Sequence, residues 1–382
     1  MKRVFVIGVL VSFSLSRVAS QSLEQALQES VENTPHPESP EDFRPVKHLS
    51  PLNQDSTLIC WSFSTSSLLE SEMERLGLPP VRLSVVYPVY YVFIEKARRY
   101  IQTRGTSRFA PGDLFSGVVD IIRQHGAIPA QVYGEKVEGK KTFNHNKLYA
   151  ELRKLMDRVK TEKLWNEKNV IPQVRRILDR HLGPPPAKFR WEGKLYTPLT
   201  FLKEKVTLPW DEYITVTSFQ YSPFHSFIEL RVPDNWKHYD NYYNVPLDLF
   251  YNSLKDALQA GYSVAIDADI SEPSYELTKR YAIIPDYDIP AASITQDARE
   301  FRFNTGATTD DHLMHVVDYR AFDDEDWFLV KDSWRTAWAP GSTRGYMFFH
   351  SSYVKLKVLA YLVHSDGVPM IKEHLAKVSG EE

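Results

Sequence analysis

The sequence has little of what marks several common classes of protein. It holds a single cysteine among 382 residues, so no disulfide can form within the chain. Basic and acidic residues nearly balance, at 46 and 49, and no long run of Lys or Arg is present, which argues against nucleic acid as a partner. With 43% hydrophobic residues, the chain is expected to be stabilised by an ordinary buried core.

The first 20 residues have the pattern of an export signal. Two basic residues precede an apolar run from Val4 to Leu15, and small residues follow at positions 18–20. The run is short for a membrane span and Arg17 follows it closely, although an uncleaved anchor is an alternative. We therefore predict a signal peptide at 1–20, a periplasmic or secreted protein, and no stable membrane insertion after cleavage.

The lone cysteine stands where a helix is predicted to begin. In the stretch CWSFSTSSLLESEMERLG, Leu69, Met73 and Leu76 recur at helical spacing, and Gly77 is placed to end the helix. At a helix N-terminus the unpaired N–H groups and the helix dipole favour a thiolate over a thiol. Cys60 is therefore a candidate nucleophile, and the alternative is a small buried hydrophobic residue.

A cysteine nucleophile needs an oxyanion donor and a histidine that another residue orients. Gln54, on the loop that enters the helix, can direct its amide at an oxyanion beside the sulfur. The apolar segments LMHVVDYRAF and DWFLVKDS flank an acidic turn, which predicts a β-hairpin. His312 enters its first strand and Asp332 leaves its second, so the hairpin can place them side by side while Trp334 covers the contact.

The stretch DDHLMH also has the residue types of a metal site, formed by Asp310, Asp311, His312 and His315. On a strand, residues three apart point to opposite faces, so the two histidines should not converge. We therefore predict no metal and no other cofactor, and we place His315 on the other face of the strand.

Three stretches resemble motifs of the papain-type cysteine peptidases. NQDSTLICWSFS resembles the nucleophile motif, with Gln54 six residues before Cys60 and Trp61 directly after it. DDHLMHVVDY and KDSWRTAW resemble the histidine and Asn-Ser-Trp motifs, in the same order along the chain. Other stretches, among them GDLFSGVVDIIRQHGAIPAQVYGE and YYNVPLDLFYNSLKDALQAGYSVAIDADI, are similar to the bleomycin hydrolase and bacterial aminopeptidase C branch.

This resemblance extends from about Pro45 to Pro369 and implies an α+β, two-lobed papain-like fold with a large, mainly helical insertion. The helical lobe would carry Cys60, and the β-rich lobe would carry His312 and Asp332. The expected boundaries are an extended N-terminal segment at 21–45, the helical lobe at 46–135, the insertion at 136–245, and the β-rich lobe with the C-terminal tail at 246–382.

The chain departs from the family pattern on the approach to the cysteine. Asp55 and Leu58 stand where the family usually has glycine, and Ile59 directly precedes Cys60. Glycine there allows a substrate backbone to approach closely, so branched side chains can narrow the cleft. Candidate residues of the substrate cleft are Leu58, Ile59, Trp61 and Trp334.

The third motif departs from the pattern as well. Asp332 replaces the usual Asn, and Arg335 replaces the glycine expected after the Ser-Trp pair. A carboxylate can still orient His312, and it favours the charged imidazolium more than a neutral amide does.

Three functions remain open from the sequence. The first is a cysteine peptidase that cleaves peptide substrates through Cys60, His312, Asp332 and Gln54, and the resemblance implies an aminopeptidase. In that branch the C-terminal tail limits cutting to chain ends, but the tail here is short. The second is a catalytically degenerate peptide-binding protein, and the third is an acyl transferase with a Cys-His-Asp triad.

Relatives often assemble into rings, so a homo-oligomer is expected from the resemblance alone.

Overall fold

The computed structural model describes residues 25–134, 144–275, 280–338, 340–341 and 343–379. The predicted signal peptide at 1–20 lies outside these residues. Within the described ranges, no helix is both long and apolar enough to cross a membrane.

Helices dominate the first half of the chain. The helix α2 begins at Cys60, as predicted, and ends at Arg75, where Gly77 adopts a φ of 74° and the Leu78 N–H bonds to the Met73 carbonyl at 2.9 Å. The next helices are α3 (Val86–Gln102), α4 (Phe115–His125), α5 (Asn146–Thr161), α6 (Glu167–Leu182) and α7 (Pro198–Lys205). The later ones are α8 (Leu247–Gln259), α9 (Gln296–Asn304), α10 (Ser351–Lys357) and α11 (Pro369–Ser379).

A nine-stranded sheet forms the centre of the molecule, with the strand order β4-β5-β3-β11-β6-β8-β9-β10-β7. A separate hairpin pairs β1 (Phe189–Trp191) with β2 (Lys194–Tyr196). The strands of the sheet are β3 (Tyr213–Thr217), β4 (Ser226–Ile228), β5 (Tyr242–Asn244), β6 (Val264–Ala268), β7 (Tyr281–Ala282), β8 (His312–Phe322), β9 (Glu325–Lys331), β10 (Tyr346–His350) and β11 (Val358–His364). The predicted hairpin is present as β8 and β9, with Phe322 paired to Glu325 next to the turn.

Side chains that alternate along the central strands separate two hydrophobic cores. On β6, Val264, Ile266 and Ala268 belong to the core shared with α8 and α10, whereas Ala265 belongs to the core shared with α2 to α6. The sheet is therefore covered by helices on both faces, and α2 packs on β8 and β6. This arrangement gives the two-lobed α+β fold that the resemblance implied.

The N-terminal segment at 21–45 is not wholly extended, contrary to the prediction. Residues 25–32 form a helix, α1, that buries Leu27 and Val31 at a spacing of four residues. Val31 packs with Trp327 and Phe348 on an outer face of the hairpin. Tertiary contacts with these aromatic side chains stabilise a helix that its polar composition did not reveal.

The boundary expected near residue 245 does not coincide with an edge of the sheet. The strands β3, β4 and β5 lie within the range read as insertion, and Val216 of β3 pairs with Tyr361 of β11. The sequence YITVT is rich in β-branched residues, which is typical of a strand. It lies in a range whose charged helical pattern predicts an insertion. The sheet thus begins about 30 residues earlier than expected.

A buried arginine connects α9 to this early part of the sheet. Arg299 is 1% exposed and donates to the carbonyl oxygens of Ser218, Lys355 and Leu359 at 2.9, 2.8 and 3.1 Å. Its guanidinium also lies over two phenylalanine rings, at 4.9 and 4.8 Å from their centroids. Burial lowers the pKa of Arg299 to about 9, so its charge costs free energy that these contacts must offset.

We predict that Arg299→Met destabilises the fold by about 3 kcal/mol, because it removes three buried hydrogen bonds and two ring contacts, although Thr217 still donates to the Leu359 carbonyl. The matched control is Arg302→Met on the same helix, whose ion pair with Asp288 at 2.9 Å lies near the surface. That change should cost less than about 1 kcal/mol. Urea denaturation of both variants measures the difference, and equal losses would contradict the role given to Arg299.

Candidate active site

Cys60 is the first residue of α2, with Ile59 as the residue that precedes the helix. Its side chain is half-buried, so the thiol has access to solvent while the helix itself is largely buried. The first turn of a helix offers backbone N–H groups without partners and the positive end of the dipole. The structure therefore places the sulfur where a thiolate is stabilised.

The loop before Cys60 contains two residues with left-handed backbone conformation. Asp55 has a φ of 51° and Leu58 a φ of 53°, values that favour glycine. These are the two positions at which the chain departs from the glycines of the resembled motif. The backbone therefore keeps a glycine-like path although the side chains have changed, at a cost on the order of 1–2 kcal/mol for Leu58.

Gln54 is buried and connects this loop to the segment after β9. Its backbone N–H donates to the Ser333 carbonyl at 2.9 Å, and the Ser333 hydroxyl donates to Gln54 Oε1 at 2.8 Å. Because the amide oxygen is occupied by Ser333, the NH₂ of the same amide is the group left to donate elsewhere. The amide NH₂ of Gln54 is thus the available donor for the oxyanion role that the sequence predicts.

His312 and Asp332 lie side by side, as the hairpin predicted. His312 Nε2 and Asp332 Oδ1 are 2.6 Å apart, and the two side chains are 1% and 0% exposed. The Cys60 sulfur is within hydrogen-bonding reach of the same imidazole. Since Nε2 is bonded to Asp332, the other ring nitrogen is the one left for the sulfur.

The charges around His312 favour its protonated form. Burial alone would lower the pKa of the imidazole, but the carboxylate of Asp332 and the thiolate of Cys60, with their hydrogen bonds, raise that pKa to about 10. The buried imidazole therefore holds its proton between Asp332 and Cys60.

Asp332 accepts two further hydrogen bonds, which hold its carboxylate in place. The Tyr275 hydroxyl donates to Oδ2 at 2.8 Å, and the Trp334 backbone N–H donates to Oδ1 at 2.8 Å. Tyr275 is fully buried and comes from a short segment after β6. The sequence analysis missed Tyr275, since the stretch SEPSYE has no periodic pattern that would place it near the hairpin.

The candidate cleft residues divide into two groups. Leu58 is 45% exposed, and Trp334 is half-buried with its ring 5.8 Å from that of His312, so both lie at the surface of the site. Ile59 and Trp61 are both 0% exposed and belong to the helical core, so the prediction that they line the cleft is wrong. Trp61 Nε1 donates to the Pro111 carbonyl at 3.1 Å, which directs its indole away from solvent.

The segment read as insertion also reaches the site. The Tyr149 hydroxyl of α5 donates to the Thr57 carbonyl in the loop before Cys60. Burial and then the charge of Cys60 raise the pKa of Tyr149, so the tyrosine lies close to the sulfur. The charged helical pattern of α5 gave no sign of this contact, because the tyrosine occupies the apolar face of the helix.

His315 does not join His312. Its Nδ1 bonds to the Ser67 hydroxyl at 2.8 Å, on the side of β8 that packs against α2. In the described part of the chain, no group of three or more His, Cys, Asp or Glu side chains is arranged to hold a metal ion.

This arrangement suits nucleophilic attack on a carbonyl group. A proton can pass between the thiol and the imidazole, and Asp332 stabilises the imidazolium that results. The imidazolium can then protonate a leaving amine, while Gln54 and backbone N–H groups stabilise an oxyanion.

Comparisons with known proteins agree with this chemistry. A family model described as the Peptidase C1-like family matches residues 16–379. No curated protein gave a significant match to the sequence.

Two solved structures were among those matched. PepW from Lactobacillus rhamnosis HN001 has a TM-score of 0.64 and 18% identity, covering 98% of this chain and 95% of that one. A digestive procathepsin L 3 from the larval midgut of Tenebrio molitor has a TM-score of 0.38 and 12% identity, covering 85% of this chain and 67% of that one. Because the family match spans nearly the whole chain and includes Cys60, His312 and Asp332, the chain belongs to the Peptidase C1-like family of papain-like cysteine peptidases.

Proposed function

We propose that this protein is an exported cysteine peptidase that removes residues from the amino-terminal end of peptides. The observation that carries the peptidase chemistry is the buried contact of 2.6 Å between His312 and Asp332, with the Cys60 sulfur at the same imidazole. A degenerate binding protein has no need of a charged, buried histidine held by a carboxylate, since that pair costs free energy to bury.

In the proposed reaction, the Cys60 thiolate attacks the peptide carbonyl carbon, and the carbonyl oxygen becomes an oxyanion. Gln54 and the Cys60 backbone N–H donate to that oxyanion. The C–N bond then breaks as His312 gives its proton to the leaving amine, which leaves an acyl-enzyme. Water, deprotonated by His312, attacks the acyl carbon and restores the thiolate.

The preference for amino-terminal residues is supported by the resemblance to the aminopeptidase C branch. The described C-terminal tail does not serve as a block in the cleft, because α11 packs against α8 and buries Ile371 in the core on the opposite face of the sheet from α2. Residues within the site can supply a preference for chain ends instead.

Export is proposed from residues 1–20 alone. If it occurs, the mature protein begins after Ser20 and is recovered from the periplasm or the medium. Mass spectrometry of the protein isolated from its source measures the mature N-terminus. A chain that retains Met1 and stays in the cytoplasm would contradict the proposal.

We predict that Cys60→Ala abolishes turnover of fluorogenic aminoacyl and peptidyl amides, because no other thiol is present to form the acyl-enzyme. Thermal denaturation should show an unchanged fold, since the side chain is half-buried and small. If the wild-type protein is folded, has a free thiol and still cleaves none of these substrates, the peptide-binding alternative replaces this proposal. Turnover that is unchanged in Cys60→Ala would remove the cysteine from the mechanism.

We predict that Asp332→Asn retains measurable activity and that the alkaline limb of its pH profile moves to lower pH. The Asp332 charge helps to raise the pKa of His312 to about 10, so a neutral amide lets the imidazolium deprotonate at lower pH. The measurement is kcat/KM against pH between about 5 and 10.5 for both proteins. An alkaline limb at the same pH would argue against Asp332 as the partner of His312.

We predict that Tyr275→Phe lowers kcat/KM about three- to tenfold, because Asp332 loses the donor at Oδ2 and becomes less well positioned. The matched control is Tyr353→Phe, which removes an equally buried hydroxyl that bonds to the Asp269 carbonyl at 2.7 Å instead. Both variants should lose similar stability in urea, but only Tyr275→Phe should change activity and the alkaline limb of the pH profile. Equal activities would reduce Tyr275 to a structural residue.

A further inference from the structure

A group of buried polar side chains beside Cys60 has no part in the mechanism above. Asp267, on β6, is 0% exposed, and within the described residues its carboxyl group has only the carboxyl group of Asp310 as a hydrogen-bond partner. The hydroxyl of Tyr242, on β5, is buried near it and has Ser116 as its neighbour. Two carboxyl groups that face each other can share a proton but leave acceptor oxygens over, so a buried pair of this kind favours a further donor or a cation beside it.

This group lies beside the strand that carries His312. Asp267 pairs in register with Leu313, the residue that follows His312. Burial, the carboxylates of Asp310 and Asp234, and the thiolate of Cys60 raise the pKa of Asp267 well above its usual value. Asp267 therefore adjoins the start of the strand that carries His312, and its carboxyl group interacts with the charge of Cys60.

Asp310 is the second member of the group and is the one that reaches solvent. It lies two residues before His312, is only partly buried, and accepts the Asp234 backbone N–H at 3.3 Å. Burial and then the charge of Asp234 raise the pKa of Asp310 to about 7. The pair Asp267–Asp310 thus extends from the interior to the edge of the cleft.

The surrounding charges leave this pair in need of a cation. The neighbouring acids Asp113 and Asp234 have the ammonium of Lys96 nearby, and Asp234 also has Arg108 at 3.5 Å. No ion pair within the described ranges involves Asp267 or Asp310. The raised pKa values mean that the pair holds a proton when no cation is bound, and a cation with several N–H donors would take the place of that proton.

We propose that Asp267 and Asp310 bind an ammonium group of the substrate, on the acyl side of the bond that Cys60 attacks. This inference rests on the proposed peptidase function and supplies the selectivity that the C-terminal tail does not. An ammonium fits better than a metal ion, since two carboxylates and a phenol form too small a ligand set. The group can be the free α-amino group of the first residue or the side-chain ammonium of a lysine, and the test separates the two.

The test uses Asp267→Asn, which keeps the shape of the side chain and removes its charge. Three substrates with one fluorogenic leaving group are compared: a leucine amide with a free amino group, its N-acetyl derivative, and an N-acetyl-lysyl-leucine amide. The expected result is a loss of kcat/KM of about tenfold or more on one of the two substrates that carry an ammonium. The N-acetyl-leucine amide should be cleaved by the variant as well as by the wild type.

Loss on the leucine amide alone identifies the α-amino group, and loss on the lysyl substrate alone identifies the side chain. Asp310→Asn should reproduce the same selective loss. The matched control is Asp311→Asn, which removes the charge of an exposed side chain one residue after Asp310. This variant should change all three rates less than twofold. Equal losses on all substrates, or no loss on any, would overturn the proposal.

A binding measurement keeps this inference separate from the peptidase proposal. Cys60→Ala, with and without Asp267→Asn, is titrated calorimetrically with leucine amide, N-acetyl-leucine amide and N-acetyl-lysyl-leucine amide. Tighter binding of an ammonium ligand that depends on Asp267 supports the site even if the wild-type protein cleaves nothing. Equal affinity for all three ligands, or a preference that survives Asp267→Asn, would remove the site even if the wild-type protein is an active peptidase.

Discussion

The contact between His312 and Asp332 is the constraint on which the site depends. The imidazole Nε2 and the carboxylate Oδ1 lie 2.6 Å apart, and the two side chains are only 0–1% exposed. Such a pair is stable only while every remaining lone pair of the carboxylate has a donor and water is excluded. Tyr275 and the Trp334 N–H supply those donors, and each comes from a different stretch of chain. The charged pair therefore exists only in the assembled fold, in which these stretches meet at the end of the hairpin.

One face of α2 aligns the nucleophile with this pair. Cys60, Ser64 and Ser67 are spaced by four and three residues, so they lie on the same side of the helix. The Ser64 hydroxyl donates to the Met314 carbonyl at 2.6 Å, and Ser67 bonds to His315 at 2.8 Å, both on β8. The hydroxyls fix the helix against the strand that carries His312, and this explains why a helix so rich in serine is almost wholly buried.

The sequence was informative where function depends on local chemistry. The helix at Cys60 and the hairpin that joins His312 to Asp332 follow from periodicity and turn composition, and both are present. Tyr275 and Asp267 could not be found in that way, because their roles come from contacts between segments far apart in sequence. Tyr275 is 57 residues from Asp332 along the chain. Ile59 was expected to narrow the cleft as a branched side chain on a glycine-type loop, but the turn before the helix directs it into the core.

The loop before Cys60 holds two residues other than glycine in left-handed backbone conformation. Its left-handed residues cost free energy, but hydrogen bonds hold the loop from both lobes. Ser333 bonds to Gln54 on one side, and on the other Tyr149 bonds to Thr57, whose hydroxyl donates to the Gln54 carbonyl at 2.8 Å. A backbone held at both ends keeps its path when glycine is replaced, at the cost of strain. The loop thus exposes the Leu58 side chain beside the candidate site, while its hydrogen bonds hold Gln54 and the path into Cys60.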